Sequence, residues 1–144
     1  MQPDSTDWKI IDILREGYET NNAIGRRLSL SEGTVRQRIK RLKDAGILRI
    51  RGLINPEVLE NRQVAVIGMR VAESRLLDVK AREIAALAGV LSVSLVSGRY
   101  DLMVEVLVDS NQGLVRFLTE ELSRVKDIAQ TETFLNLKSY RKYI

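Results

Sequence analysis

The chain has 144 residues, with 23 Lys/Arg against 19 Asp/Glu and neither His nor Cys. Without cysteine there can be no disulfide or thiolate metal site, and without histidine the commonest general base and metal ligand are missing. The net charge of +4 is local: residues 36–51 hold seven Lys/Arg against Asp44 alone, whereas acids and bases balance over residues 56–144. Such a patch suits a polyanionic partner.

The first predicted element is a helix over Ser5 to Glu16, capped by Asp4 or Ser5 and ended by Gly17. Trp8, Ile11 and Leu14 or Arg15 recur at helical spacing as its apolar face. A shorter helix follows over Asn21 to Leu28, with Ala23, Ile24 and Leu28 inward, and Ser29-Leu30 makes a tight connection. Ser31 then caps a third helix reaching Ala45, with Val35, Ile39 and Leu42 inward and Gly46 as its C′ glycine. Ile47 to Ile54 alternates loosely and reads as a strand, closed by Asn55-Pro56. This pattern predicts a helix-turn-helix domain over residues 1–55, a linker over 56–62 and a second domain over 63–144.

In the second domain Val64 to Val71 reads as a strand. A helix from Arg75 to Ala88 follows, lined by Leu77, Ala81, Ile84, Ala85 and Ala88. Val90 to Val96 forms the next strand, and Ser97-Gly98-Arg99-Tyr100 turns into another over Asp101 to Val108. There Leu102, Val104, Val106 and Val108 face one way and Met103, Glu105 and Leu107 the other. Asp109-Ser110 caps a helix with Leu114, Phe117, Leu118, Leu122 and Val125 inward, and Gln130 to Lys138 is the last strand. The order βαββαβ predicts an α+β, ferredoxin-like unit: a four-stranded antiparallel sheet with two helices on one face. Met103 and Leu107 are too apolar to leave in water on the opposite face, which points to a homodimer or a larger even-numbered oligomer. The longest apolar run, Val64 to Met69, is far short of a membrane span. With no signal-peptide pattern at the start, the expectation is a cytoplasmic protein without membrane contact.

The third helix carries the chemistry. A helix entering the major groove needs an apolar back, small residues near its start and polar or basic groups forward. Ser31, Gly33 and Thr34 let the backbone approach a duplex; Arg36 and Gln37 can pair with base edges. Arg38, Lys40 and Arg41, with Arg49 and Arg51 beyond the helix, suit phosphates. A solvated basic face would also be rich in Lys and Arg, but its charges are normally mixed in sign. The predicted partner is double-stranded DNA.

The whole arrangement resembles the Lrp/AsnC, or feast/famine, family of transcription regulators. The likeness runs through Leu28 to Leu42, Gly46-Ile47-Leu48, Leu53-Ile54-Asn55-Pro56, Val96 to Leu102 and Thr131-Glu132-Thr133. It implies a DNA-binding dimer, in some members an octamer, whose C-terminal unit senses a small molecule such as an amino acid. It also implies an effector site at Gly98, Arg99, Tyr100 and Asp101, with Thr131 and Thr133 nearby. Backbone groups and Asp101 would suit an ammonium and Arg99 a carboxylate. The same turn residues equally suit local roles: Gly98 in the hairpin, Tyr100 in packing, Asp101 as a cap. Two positions depart from the family pattern: Arg99 stands where an acid or amide is common, and Ser29 where glycine is frequent.

Two other classes share these features. A nucleoid-organising protein would keep the fold and the basic patch without an effector. Siroheme decarboxylases resemble the same architecture, but their chemistry leans on histidines absent here. Glu105 has no obvious acid or base partner and reads as a rim or inter-subunit salt-bridge residue. The expectation is no catalytic activity, no cofactor and no metal site.

Overall fold

A computed structural model describes residues 1–144, which form two compact units, Met1–Gly52 and Leu53–Ile144. The first contains α1 (Ser5–Glu16), α2 (Asn21–Leu28) and α3 (Glu32–Asp44). Each begins with a side-chain cap that accepts an otherwise orphaned backbone N–H. Asp4 and Asp7 form a reciprocal capping box on α1, Thr20 caps α2 and Ser31 caps α3. Gly46, at φ +68°, closes α3 in the left-handed conformation expected of a C′ glycine.

The core of this unit is Ile10, Ile13, Ile24, Val35 and Ile39, edged by Leu14, Leu28, Leu30 and Leu48. Two expectations need correction. The inward stripe of α1 is Ile10, Ile11 and Ile13, while Trp8 is half exposed. Residues 48–55 form no strand within a sheet. Ile54 makes two backbone hydrogen bonds of 3.0 Å with Ile144.

The second unit is a βαββαβ sheet. Its elements are β1 (Arg62–Val71), α4 (Leu77–Ala85), β2 (Val90–Leu95), β3 (Leu102–Asp109), α5 (Ser110–Arg116) and β4 (Ile128–Leu135). The strands are antiparallel in the order β2-β3-β1-β4, with Ile67 opposite both Val104 and Thr133. The alternation of β3 is as expected: Leu102, Val104, Val106 and Val108 are buried and Met103, Glu105 and Leu107 half-buried. The buried row joins Ala65, Ile67 and Met69 of β1 against Ala81 and Ile84 of α4 and Phe117, Leu122 and Val125 beyond α5. Each of these side chains larger than alanine contributes about 1.5–3 kcal/mol by leaving water.

Helix α4 is shorter than the expected Arg75–Ala88 at both ends: a 3₁₀ turn takes Ser74–Leu76, and the helix stops at Ala85. Ala85 and Ala88 are exposed. Lys80 lies buried instead, its ammonium reaching Glu83 and Asp127. Helix α5 continues through a wide π turn over Phe117–Glu121, which swings Phe117 and Leu122 both inward. Residues 56–62, expected as a linker, carry a 3₁₀ turn (Pro56–Val58) with Pro56 buried, and β1 already starts at Arg62. No helix is long and apolar enough to cross a membrane.

Candidate nucleic-acid interface and ligand turn

The joint between α2 and α3 positions the basic helix. The backbone turns at Ser29, in the left-handed region at φ 55°, and the Leu30 N–H donates to the Gly25 carbonyl at 2.9 Å. The approach is so close that a Cβ on Gly25 would lie 2.6 Å from the Leu30 oxygen. Burial of Val35, Ile39 and Leu42 then sets the rotation of α3.

On the outward side, Gln37 is exposed and bonded to no protein group. Arg36 pairs with Glu32 at 3.2 Å and Lys40 with Asp44 at 2.6 Å, both one helical turn apart and exposed. The Asp44 hydrogen bond raises the Lys40 pKa, so the amine stays charged. Exposed pairs of this kind are weak because water screens them, so an arriving phosphate displaces them at little cost. Arg49 and Arg51 are exposed and make no ion pair. Lys43, which sequence reasoning missed, lines one groove with Asn21, Arg36 and Lys40. Its signal was positional, one turn beyond Lys40 on the same face. A Cβ on Gly33 would meet nothing closer than 4.0 Å, so this unit's own packing does not demand a glycine there.

Four predicted residues have other duties. Ser31 Oγ accepts the Thr34 N–H at 3.1 Å and lies 2.8 Å from the Thr34 hydroxyl, so both side chains are engaged in capping. Arg38 corrects the expectation of a free phosphate ligand. Only 26% of its side chain is exposed, and its Nη1 donates to Asp4 at 2.7 Å and Asp7 at 2.8 Å. Arg41 donates one Nη2 bond of 2.7 Å to Asp7 and remains half exposed.

Asp7 is itself fully buried. Burial pushes its carboxyl pKa up, but hydrogen bonds from Arg38 and the Asp4 backbone, with the charge of Arg41, outweigh that and hold it below 3.8. The Arg38 hydrogen bond likewise lowers Asp4.

The second expected site, the turn between β2 and β3, is built by backbone bonds. Asp101 donates its N–H to the Met69 carbonyl at 2.9 Å and accepts the Val71 N–H on Oδ2 at 2.9 Å. One oxygen of the carboxylate expected to hold an ammonium therefore already ties the turn to β1. Tyr100 is 9% exposed, on the helix-free face, in edge contact with Phe134. Its hydroxyl is buried without a partner. Arg99 and Gly98 are exposed, with Gly98 at φ 146°. Thr131 and Thr133 lie across from Met69 and Ile67, which puts them on the helix side, away from Tyr100. Glu105, expected as a rim or inter-subunit partner, pairs within the chain with Lys142.

Comparison with known proteins gives matches to both units. Residues 64–143 match the family described as Lrp/AsnC ligand binding domain, and residues 3–49 match winged helix-turn-helix DNA-binding. The chain is 33% identical to an uncharacterised HTH-type transcriptional regulator of Pyrococcus abyssi, across 99% of this chain and 90% of that one. It is 29% identical to the HTH-type transcriptional regulator Ptr1 of Methanocaldococcus jannaschii, across 96% of this chain and 94% of Ptr1. A transcriptional regulator from Neisseria meningitidis, solved as a complex with L-Met, shares the fold: TM-score 0.72 and 24% identity, across 98% of this chain and 94% of that one.

Proposed function

Because this chain belongs to the Lrp/AsnC family of transcription regulators, we propose that it binds particular promoter sequences as a homodimer or larger even-numbered assembly and alters that binding when its C-terminal unit takes up an amino acid. The observation that carries the DNA half is the outward strip of α3. Gln37 is unengaged there, and Arg36 and Lys40 are held only by exposed neighbours one turn away. Gly33, Thr34, Arg36 and Gln37 meet base edges; Lys40, Arg41, Lys43, Arg49 and Arg51 meet phosphates.

For the effector half, the support is the Neisseria relative's L-Met complex and the unpartnered hydroxyl of Tyr100 beside Gly98 and Arg99. A buried polar atom without a partner costs stability unless something completes it. Arg99 takes the carboxylate, with no part for Thr131 and Thr133, which lie on the opposite face of the sheet. Val66, Met103, Leu107 and Phe134, on the helix-free face, are covered by a second copy.

The test is DNA binding by fluorescence anisotropy on promoter and random duplexes across a salt series, with and without each of the twenty amino acids. Arg36→Ala or Gln37→Ala should cost about 1–3 kcal/mol and relax base preference. Lys40→Ala should weaken all sequences alike and flatten the salt slope. Uniform binding to every duplex would favour a nucleoid organiser. An amino acid that neither shifts the melting point nor changes affinity is not the effector.

A further inference from the structure

The carboxylate of Asp7 sits on α1, outside the helix that faces DNA, yet it holds two of that helix's arginines. Oδ1 accepts from Arg38 Nη1 at 2.8 Å, while Oδ2 accepts from Arg41 Nη2 at 2.7 Å and from the Asp4 backbone at 3.1 Å. Arg38 closes the cluster by reaching Asp4 at 2.7 Å. Asp4, Asp7, Arg38 and Arg41 balance in charge, but they are not equally accessible. Asp7 has no exposed surface and Arg38 is mostly covered, whereas 49% of the Arg41 side chain faces solvent.

Arg41 is therefore anchored by one edge. A guanidinium has five N–H donors in a planar fork, and Arg41 uses one of them. An arginine free to rotate would lose that freedom on gripping a phosphate, and here much of the ordering precedes binding. Along α3, Arg41 lies one helical turn beyond Gln37, at the margin of the outward strip, where a duplex backbone would pass.

We propose that Asp7 is a positioning residue for DNA recognition: it fixes Arg41 so that the guanidinium edge turned away from Asp7 meets a backbone phosphate. This rests on the DNA-binding function proposed above and adds to it a residue from a different helix. Asp7 does not act as a counter-charge that merely weakens Arg41. The two roles predict opposite signs, since removing a competing acid tightens DNA binding and removing a support loosens it.

The experiment is anisotropy on a promoter duplex with the full chain, at a temperature where circular dichroism reports each variant folded. Asp7→Asn should weaken binding roughly tenfold, as loss of one oriented phosphate contact would. In an Arg41→Ala background the same change should do nothing more, because the group it supports is gone. Should Asp7→Asn not fold, Arg41→Lys decides. It keeps the charge but lacks the fork that spans carboxylate and phosphate, so it should bind nearly as weakly as Arg41→Ala. Unchanged or tighter binding by Asp7→Asn, equal losses in both backgrounds, or wild-type affinity for Arg41→Lys would overturn the proposal. If the unmodified protein ignores DNA, the function above falls with it. If it binds and only these variants behave otherwise, the positioning role alone falls.

Discussion

The ring of Tyr100 packs directly on the backbone of Gly68, so closely that a Cβ at Gly68 would lie 2.6 Å from Tyr100 Cδ2. Gly68 lies in β1 opposite Met103 and Glu132, where a side chain would ordinarily stand over the sheet. The glycine makes a slot, and the turn after β2 fills it.

Gly68→Ala should therefore displace Tyr100 and cost about 1–3 kcal/mol, as overpacking does, read as a lower urea midpoint. Tyr100→Phe should act oppositely. It removes a buried hydroxyl that has no partner and should stabilise the unliganded protein by about 1 kcal/mol. The same variant should lose the melting-point rise given by the effector. A Tyr100→Phe protein that is less stable than its parent would show that the hydroxyl already has a partner.

At Gly33 stability and function should separate. Alanine there has room and should raise stability by up to about 1 kcal/mol through helix propensity. If a duplex comes close at that point, DNA affinity should fall at least severalfold. A more stable variant with undiminished affinity would mean that the backbone of Gly33 stays clear of DNA.

The turn between α2 and α3 gives a pair of opposite effects. Ser29 is a non-glycine residue in left-handed backbone, so Ser29→Gly should stabilise by about 0.5–1 kcal/mol. Gly25→Ala should destabilise by more than that, because its Cβ would meet the Leu30 oxygen at 2.6 Å. Thermal melts of the two variants check both signs.

Acid should loosen the α1–α3 contact. The folded-state pKa values of Asp4 and Asp7 lie below the ordinary 3.8. Their contribution is thus complete above that value and is lost as pH falls from it through the lowered values. Stability should be insensitive to these groups between about pH 5 and 8 and should decline below pH 4. Asp7→Asn should be less stable at neutral pH and show a shallower acid limb. An acid limb as steep as the parent's would place the responsible carboxylates elsewhere.

Legibility in the sequence followed the range of the forces involved. The alternation of Leu102 to Val108 needs only neighbours two residues apart, and the caps Ser31 and Gly46 act within one turn, so all were readable. The face of α1 was readable only in part: Ile11 is buried as expected, but Ile10 and Ile13 have the same spacing as Trp8 and Ile11, and only the packing of Ile24 and Val35 against Ile10 and Ile13 shows that the stripe is centred on them and leaves Trp8 exposed. Arg38 looked like its neighbours because its partners, Asp4 and Asp7, are about thirty positions away in the chain. Ile47 to Ile54 had strand-like residues but no ladder to join. Asp101 and Tyr100 were found as a pair by resemblance, yet their hydrogen bonds and burial depend on where β1 passes beneath the turn. Lys43 was legible from helical spacing and was overlooked.

The position of β1 bears on the order in which the molecule acquires its shape during synthesis. Its neighbours on either side, β3 and β4, are both made long after it. Until Leu135 has left the ribosome, β1 has at least one unsatisfied edge, and such edges are where chains pair wrongly. The three-helix unit needs nothing beyond its own short contacts and can close while the sheet is still unfinished, so misassembly should concentrate in the later, slower half.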